Sequence, residues 1–172
     1  MNDLQLQQLI HKAKGRDPDA FTALVGFYMK DLYRVAISIL RNDEDAADAI
    51  QETILTCWEK LGTLHQPEYF KTWLTRILIR HCYDIRKSSL QYTTMESLEE
   101  PVTYNPDTLE FREILDHLGE KYSIILTLYY TMGYSAAEIG KLLHLPAATV
   151  RTRLARGRKK LKDYYQNNPE RS

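Results

Sequence analysis

The chain has 172 residues, of which 44% are hydrophobic and 27% are charged, and its formal net charge is zero. This composition predicts a folded core in one domain or two small ones. Because the sequence has no run of 18 apolar residues and no charged-then-apolar leader, we expect a soluble, cytoplasmic protein without membrane insertion. Two distant cysteines and five scattered histidines show no ligand spacing, so we expect no metal site.

Helical periodicity dominates the N-terminal half of the chain. Apolar residues recur every three or four positions, as on the buried face of a helix, and no segment alternates with period two for long enough to predict a strand. Residues 1–87 are therefore predicted to form a small helical domain. Turn and cap residues divide this domain into four helices, at Asp17-Pro18, Asn42-Asp43, Gly62 and Pro67.

The third predicted helix carries an acidic stripe. Such a stripe is either an ordinary solvated surface or a docking surface for a basic or polar partner. Spacing alone leaves both interpretations open. The acidic residues share one helical face because they recur at intervals of three, four and seven positions, and they are Asp45, Asp48, Glu52 and Glu59, with Gln51 at their side.

The fourth predicted helix carries cations interleaved with an aromatic residue, opposite its apolar stripe. This combination suits a nucleic-acid backbone and an unstacked base together, although an exposed polar face has the same pattern. The neighbouring loop, residues 62–69, could hold a flipped base. The residues are Arg76, Arg80, Tyr83 and Lys87, flanked by Lys71 and Arg86.

Charge is unevenly distributed beyond residue 87. Residues 88–112 hold five acidic side chains against Arg112 alone, whereas residues 113–172 carry a net charge of +4. The stretch 88–106 also loses helical periodicity and gains serine, threonine and proline, which predicts a flexible acidic linker. Residues 107–172 are then predicted to form a second small helical domain.

The second domain ends in a predicted helix-turn-helix. Ser135 and Glu138 have the spacing of a capping box at the start of a short helix, and Pro146 can open the next helix. That last helix carries seven basic residues and no acid between Arg151 and Lys162. A short capped helix followed by a basic helix is typical of a DNA-binding motif. The alternative is a solvated basic surface helix.

Catalytic signatures are absent from the sequence. There is no GxxxxGK[ST] phosphate loop, no GxSxG, no HExxH and no CxxC. We therefore expect a protein that is not an enzyme, with no cofactor and no small-molecule substrate.

Three stretches together resemble an extracytoplasmic-function (group IV) sigma factor of bacterial RNA polymerase, within the sigma-70 family. The order and spacing of these stretches carry the resemblance, which extends from about Gly15 to Leu161. They are LYRVAISILRNDEDAADAIQETILTCWEKL, FKTWLTRILIRHCYDIRK and EKYSIILTLYYTMGYSAAEIGKLLHLPAATVRTRLARGRKKL.

The resemblance implies an alternative sigma factor that binds core polymerase and directs promoter-specific initiation. It implies that domain 1–87 is region 2 and domain 107–172 is region 4, and that an anti-sigma factor binds the free protein. It assigns docking on the β′ clamp helices to Asp45, Asp48, Gln51 and Glu52, and the −10 element to Lys71, Arg76, Arg80, Tyr83, Arg86 and Lys87. It assigns the −35 element to Thr149, Arg151, Thr152 and Arg153 near base edges, and to Arg156, Arg158 and Lys159 nearer phosphates.

Three positions depart from the family pattern. Asn is common where Arg80 stands, Gly where Ala148 stands, and Ala where Gly157 stands. Gly157 is expected to cost its helix about 1 kcal/mol relative to alanine.

Two other functions compete with the sigma-factor interpretation. One is a stand-alone helix-turn-helix regulator, which would bind duplex DNA without polymerase, and the other is an adaptor that binds only protein.

Overall fold

The computed structural model describes residues 1–91 and 106–171, and this part of the chain holds eight α-helices and no β-strand. The all-α prediction is confirmed. The helices are α1 (Asp3–Lys14), α2 (Pro18–Leu40), α3 (Asp43–Lys60), α4 (Phe70–Gln91), α5 (Pro106–Leu118), α6 (Glu120–Tyr130), α7 (Ala136–Leu143) and α8 (Ala147–Asn167).

Side-chain caps fix several helix starts at the positions that the sequence predicts. Asp17 accepts hydrogen bonds from the first turn of α2, whose first residue is Pro18. Asn42 caps α3 in the same way. Ser135 and Glu138 form the predicted capping box of α7. Each cap satisfies backbone N–H groups that have no partner within the helix, which typically stabilises a helix by about 1 kcal/mol.

Helices α1 to α4 form an N-terminal bundle around apolar side chains that are shielded from water. On α4, Leu74, Leu78 and Cys82 are buried at successive intervals of four residues, so one face of this helix packs against α2 and α3. Burial raises the pKa of the Cys57 and Cys82 thiols to about 12. Both thiols are therefore protonated at neutral pH, as expected for core cysteines.

Helix α4 continues to Gln91, four residues beyond the predicted end of the first domain at residue 87. The added turn, Ser88 to Gln91, contains neither glycine nor proline, so nothing in it terminates a helix. Residues 92–105, which make up most of the predicted linker, lie outside the described residues.

Helices α5 to α8 form the C-terminal unit, in which α6 and α8 approach closely at Gly157. A Cβ atom on Gly157 would lie 2.9 Å from Cδ1 of Leu126, closer than carbon atoms pack. The sequence predicts only the helix-propensity cost of this glycine, whereas the structure shows that the missing side chain lets α8 contact α6.

The two units share one continuous apolar core. Helix α2 packs against α1, α3 and α4 and also against α6 of the C-terminal unit. Its five consecutive residues from Val35 to Ile39 are all buried, which spans more than a full helical turn. Because this segment is buried around its whole circumference, other helices must cover all of its sides. Among the described residues, no helix is both long and apolar enough to cross a membrane.

Candidate nucleic-acid interface

Helix α3 presents the predicted acidic stripe on its outer face. Asp48, Gln51 and Glu52 are exposed and Asp45 is half-buried. Asp45 lies in the first turn of α3, where a negative charge interacts favourably with the helix dipole. Its carboxylate therefore stabilises the helix locally as well. The other three residues lie beyond that turn, and their exposed groups are available to a partner.

Leu55 lies within this stripe, and sequence reasoning missed it. Its side chain is 50% exposed and follows Gln51 and Glu52 at intervals of four and three residues, on the same helical face. The buried face of α3 instead uses Ile50 and Cys57. The sequence did contain a signal for this exposure, because Leu55 is an apolar residue that lies out of phase with the buried stripe. The acidic stripe therefore surrounds an apolar contact point.

The predicted basic face of α4 divides into two groups in the structure. Arg76, Arg80, Tyr83 and Lys87 are exposed on one side of the helix. Partial burial of the Tyr83 phenol raises its pKa, and the positive charge of Arg86 partly offsets this increase. The hydroxyl is therefore neutral at physiological pH. A neutral aromatic ring among three cations offers a stacking surface beside groups that attract phosphate.

The other two predicted residues of this face, Lys71 and Arg86, contact the C-terminal unit. The Lys71 ammonium donates a hydrogen bond to the carbonyl oxygen of Met132 at 2.8 Å. It also lies 4.6 Å from the centre of the Tyr134 ring. Arg86 forms an ion pair with Glu120. Both cations are thus occupied within the protein.

The loop between α3 and α4 is anchored at its apolar positions and open at its polar ones. Leu61 and Leu64 are buried, and the Lys14 ammonium donates to the Leu64 carbonyl oxygen. His65 and Tyr69 are exposed. Next to this loop is a cavity of about 270 Å³, whose lining includes Tyr28, Pro67, Phe70 and Lys71.

Helices α7 and α8 form the predicted helix-turn-helix, and its turn requires a glycine. Helix α7 ends at Leu143, and its C-cap residue, His144, has a left-handed backbone with φ 57°. The Leu145 N–H donates a hydrogen bond to the Gly140 carbonyl oxygen at 2.8 Å. A Cβ on Gly140 would lie 2.6 Å from the Leu145 carbonyl oxygen. Only glycine allows the chain to fold back this closely.

Helix α8 exposes most of the predicted −35 residues. Its buried face consists of Val150, Leu154, Gly157 and Tyr164. Thr149 and Arg153 are half-buried, while Arg151, Thr152, Arg156, Arg158 and Lys159 are exposed.

Two of these arginines have surroundings that the sequence pattern did not predict. The Arg158 Nε donates to the Tyr130 hydroxyl at 3.0 Å, and its guanidinium lies 4.9 Å from the centre of the Tyr129 ring. Arg158 is therefore held on the surface of α6. Arg153 lines a cavity of about 430 Å³ together with Tyr83 and Arg86 of α4.

Comparison with known proteins identifies the family. The sigma-70 region 2 family matches residues 24–89, and the sigma-70 region 4 family matches residues 108–161. RNA polymerase sigma factor SigV of Bacillus subtilis is 31% identical, over 77% of this chain and 82% of its own length. The ECF RNA polymerase sigma factor SigW of the same organism is 28% identical, over 93% of this chain and 96% of its own.

The chain belongs to the extracytoplasmic-function sigma factors of the sigma-70 family. It is an alternative sigma factor that binds core RNA polymerase and directs promoter-specific transcription initiation. The region 2 match runs from α2 to α4 and the region 4 match from α5 to α8. A stand-alone regulator would not need region 2, so this match favours the sigma-factor interpretation over that alternative.

Solved structures share the fold of this sigma factor. CnrH, in complex with the cytosolic domain of CnrY, superposes with a TM-score of 0.67 over 94% of this chain and 97% of its own, at 23% identity. RpoE of Bartonella quintana, in complex with the anti-sigma factor NepR, gives 0.68 over 85% and 96%, also at 23% identity.

The described residues contain no group of three or more histidine, cysteine or acidic side chains arranged to hold a metal ion.

Proposed function

We propose that this sigma factor divides promoter recognition between two basic faces and docks on polymerase through a third, acidic face. The observation that carries the proposal is that three separate helices expose most of the residues predicted for these faces. The docking face is Asp45, Asp48, Gln51, Glu52 and Leu55 on α3. The −10 face consists of Arg76, Arg80, Tyr83 and Lys87 on α4. Lys71 and Arg86 can join this face when they leave their contacts with Met132 and Glu120.

The −35 face is the exposed side of α8. In a helix-turn-helix, the N-terminal part of the second helix meets base edges, which favours Thr149, Arg151, Thr152 and Arg153 for base contacts. Arg156 and Lys159 lie later and suit phosphates. Arg158 belongs with them once it leaves the aromatic rings of α6.

We further propose that the factor works in the cytoplasm, where core polymerase is found, and that it acts by binding alone, without catalysis, a cofactor or a small-molecule substrate. The N-terminal bundle (α1 to α4) and the C-terminal unit (α5 to α8) act as the two binding modules, with residues 92–105 connecting them. An anti-sigma factor, like the one bound to RpoE of Bartonella quintana, regulates the free factor by covering these faces.

The direct experiment is transcription in vitro with core RNA polymerase on a library of genomic promoter fragments. We expect transcripts only when the factor is added, starting downstream of a shared pair of −35 and −10 sequences. Tight duplex binding without polymerase, together with no transcription, would contradict the proposal and favour a stand-alone regulator.

Charge reversal on the docking face should weaken binding to core polymerase. In Glu52→Lys, one exposed attraction is lost and one repulsion is added, and exposed ion pairs contribute about 0.2–1 kcal/mol each. We expect several-fold weaker association in a pull-down with core enzyme, with an unchanged circular dichroism spectrum. Asp163→Lys makes the same charge change on an exposed position of α8 and should leave the pull-down unaffected. Equal binding by both variants would count against docking through α3.

Removal of the apolar contact point should have a comparable effect. Leu55→Ala deletes three carbon atoms that a partner would cover. Because the side chain is already half-buried, covering the rest of it contributes about 1 kcal/mol to the free energy of binding. We expect several-fold weaker binding to core polymerase in the same assay. Leu4→Ala is the matched control, since Leu4 is 65% exposed on α1, outside the acidic stripe. Binding by Leu55→Ala as tight as that of Leu4→Ala would remove Leu55 from the docking face.

A further inference from the structure

Five polar side chains are buried among the described residues, and one of them lacks a hydrogen-bond partner. Four of the hydroxyls donate to a backbone carbonyl oxygen three or four residues earlier, and they belong to Ser38, Thr53, Thr75 and Ser123. The fifth residue is Thr127 on α6, whose side chain is only 4% exposed and whose hydroxyl has no partner in this part of the chain. A buried hydroxyl without a partner is unfavourable, so its retention needs a reason.

Thr127 lines a cavity of about 270 Å³ between α2, α5, α6 and α8. We call this cavity the Thr127 pocket. Its walls are mainly apolar, with Phe111 and Leu115 from α5, Leu126 from α6 and Leu161 from α8. Small-molecule sites in proteins are typically apolar cavities of about 300 Å³ or more with a few polar groups that orient the ligand. The Thr127 pocket is close to this size and has this kind of lining.

Arg34 of α2 adds a positive charge to the same pocket. It is half-buried, and its guanidinium lies 5.9 Å from the centre of the Phe111 ring. Three other half-buried arginines, Arg41, Arg86 and Arg112, each form an ion pair, whereas no carboxylate within residues 1–91 and 106–171 pairs with Arg34. A guanidinium binds a carboxylate through two parallel hydrogen bonds. The charge of the pocket therefore favours an anionic ligand.

We propose that the Thr127 pocket binds a small amphipathic carboxylic acid, which the protein holds without converting it. The carboxylate pairs with Arg34, the Thr127 hydroxyl donates a hydrogen bond to an oxygen of the same ligand, and the apolar walls enclose its hydrocarbon part. The pocket shares no residue with the docking, −10 or −35 faces. This inference therefore goes beyond the proposed function and does not rest on it.

A ligand in this pocket would contact the last turns of α8. Leu161 and Tyr165 of α8 form part of the wall opposite α5 and α6. Tyr130, which also lines the pocket, accepts the hydrogen bond from Arg158 of α8. A molecule that binds only the folded protein stabilises it, so a bound ligand strengthens the packing of α8 against its neighbours.

The first test measures ligand binding to the full-length factor by calorimetry and by the shift in melting temperature. Octanoate and 3-phenylpropionate are the aliphatic and aromatic probes, while 1-octanol and octylamine keep the chain of octanoate but change its charge. At least one carboxylate should bind saturably and raise the melting temperature. Octanoate should bind several-fold more tightly than 1-octanol, and octylamine should bind most weakly. Failure of both carboxylates to bind, or equal binding of octanoate and 1-octanol, would overturn the proposal.

Removal of the charge of Arg34 should affect only the anionic probe. Arg34→Gln keeps a polar side chain of similar length, and it should weaken binding of the better carboxylate several-fold while leaving binding of 1-octanol unchanged. Arg34→Lys keeps the charge and should restore part of the affinity. Equal loss of both probes in Arg34→Gln, with an unchanged circular dichroism spectrum, would overturn the role of the charge.

Thr127→Val should change stability and binding in opposite directions. It replaces an unpartnered hydroxyl by a methyl group of similar size, so the ligand-free melting temperature should rise while carboxylate binding weakens several-fold. Thr53→Val is the matched control, because the buried Thr53 hydroxyl donates to the Ala49 carbonyl oxygen at 2.7 Å. That variant should lower the melting temperature and leave ligand binding unchanged. Thr127→Val that is as destabilising as Thr53→Val would show a hydroxyl already hydrogen-bonded within the protein, and would overturn its role in the pocket.

Two further measurements locate the bound ligand. Ile114 is half-buried and lines the pocket, so Ile114→Phe should fill part of the cavity and weaken carboxylate binding several-fold without loss of helical structure. In the unaltered factor, the better carboxylate should slow amide hydrogen exchange in α6 and in α8 from Leu161 onward, but not in α3. Binding by Ile114→Phe as tight as that of the unaltered factor, or protection confined to other helices, would place the ligand elsewhere and overturn the proposal.

Discussion

Replacement of Gly140 by alanine should destabilise the sigma factor. The added Cβ would lie 2.6 Å from the backbone carbonyl oxygen of Leu145, and a backbone atom in a tight turn cannot move aside as a flexible side chain can. Overpacking of this kind typically costs about 1–3 kcal/mol, more than the helix propensity that alanine gains. We expect a clear fall in the free energy of unfolding, measured by urea denaturation. Reading of the −35 element should fall as well, because the turn sets the angle between α7 and α8.

Gly26 provides the matched control for this prediction. It lies within α2 and is exposed, and a Cβ built on it meets no atom within 4 Å other than those of its chain neighbours and the adjacent helix backbone. Gly26→Ala should therefore stabilise the protein by up to about 1 kcal/mol through helix propensity alone. The two substitutions are chemically identical and should change stability in opposite directions. If both variants were more stable, the close approach at the turn would not exist in solution.

Arg151→Ala should reduce promoter discrimination by about 1–3 kcal/mol, as expected for a side chain that reads a base edge. Arg151 is exposed on the second turn of α8, within the part of a recognition helix that enters the major groove. We expect the loss to concentrate on one or two positions of the −35 element. The measurement compares transcription with core polymerase on promoters that carry each single −35 substitution.

Lys159→Ala is the comparison that identifies a base contact. Lys159 is exposed two turns later on the same helix, where phosphate contacts are expected. Its loss should weaken all promoters about equally and lower the salt dependence of binding by about one unit of slope. If Arg151→Ala also weakened every −35 variant equally, Arg151 would be a phosphate contact rather than a base reader.

Local features of this fold were predictable from the sequence because their causes are local. The Asp17-Pro18 start of α2 and the Ser135 capping box of α7 depend on residues within one helical turn. The basic helix α8 follows from composition and spacing. The docking and DNA-binding faces stay predictions about contacts with partners, and the structure shows which of their residues are exposed.

Contacts between distant segments were not predictable in this way. The Tyr134 hydrogen bond to Thr75 joins residues 59 positions apart, and periodicity within one helix carries no information about such a pair. The acidic composition of residues 88–106 predicts a flexible linker between two separate domains, and it gives no indication that the two domains contact each other. One signal was present: the stretch from Val35 to Ile39 contains no charged residue, so it could not be the exposed side of an amphipathic helix.

The stretch from Val35 to Ile39, buried in the folded protein, is only partly covered during synthesis on the ribosome. The N-terminal bundle is complete once α4 has been made, but α6, which covers the remaining side of α2, begins only at Glu120. At translation rates of about 5–20 residues per second, residues up to the end of α6 follow roughly 2–8 s later. During that interval an apolar surface on α2 is exposed to the cell, and a chaperone or another nascent chain can bind it. The N-terminal bundle is therefore most prone to aggregation in the interval before α6 has been made.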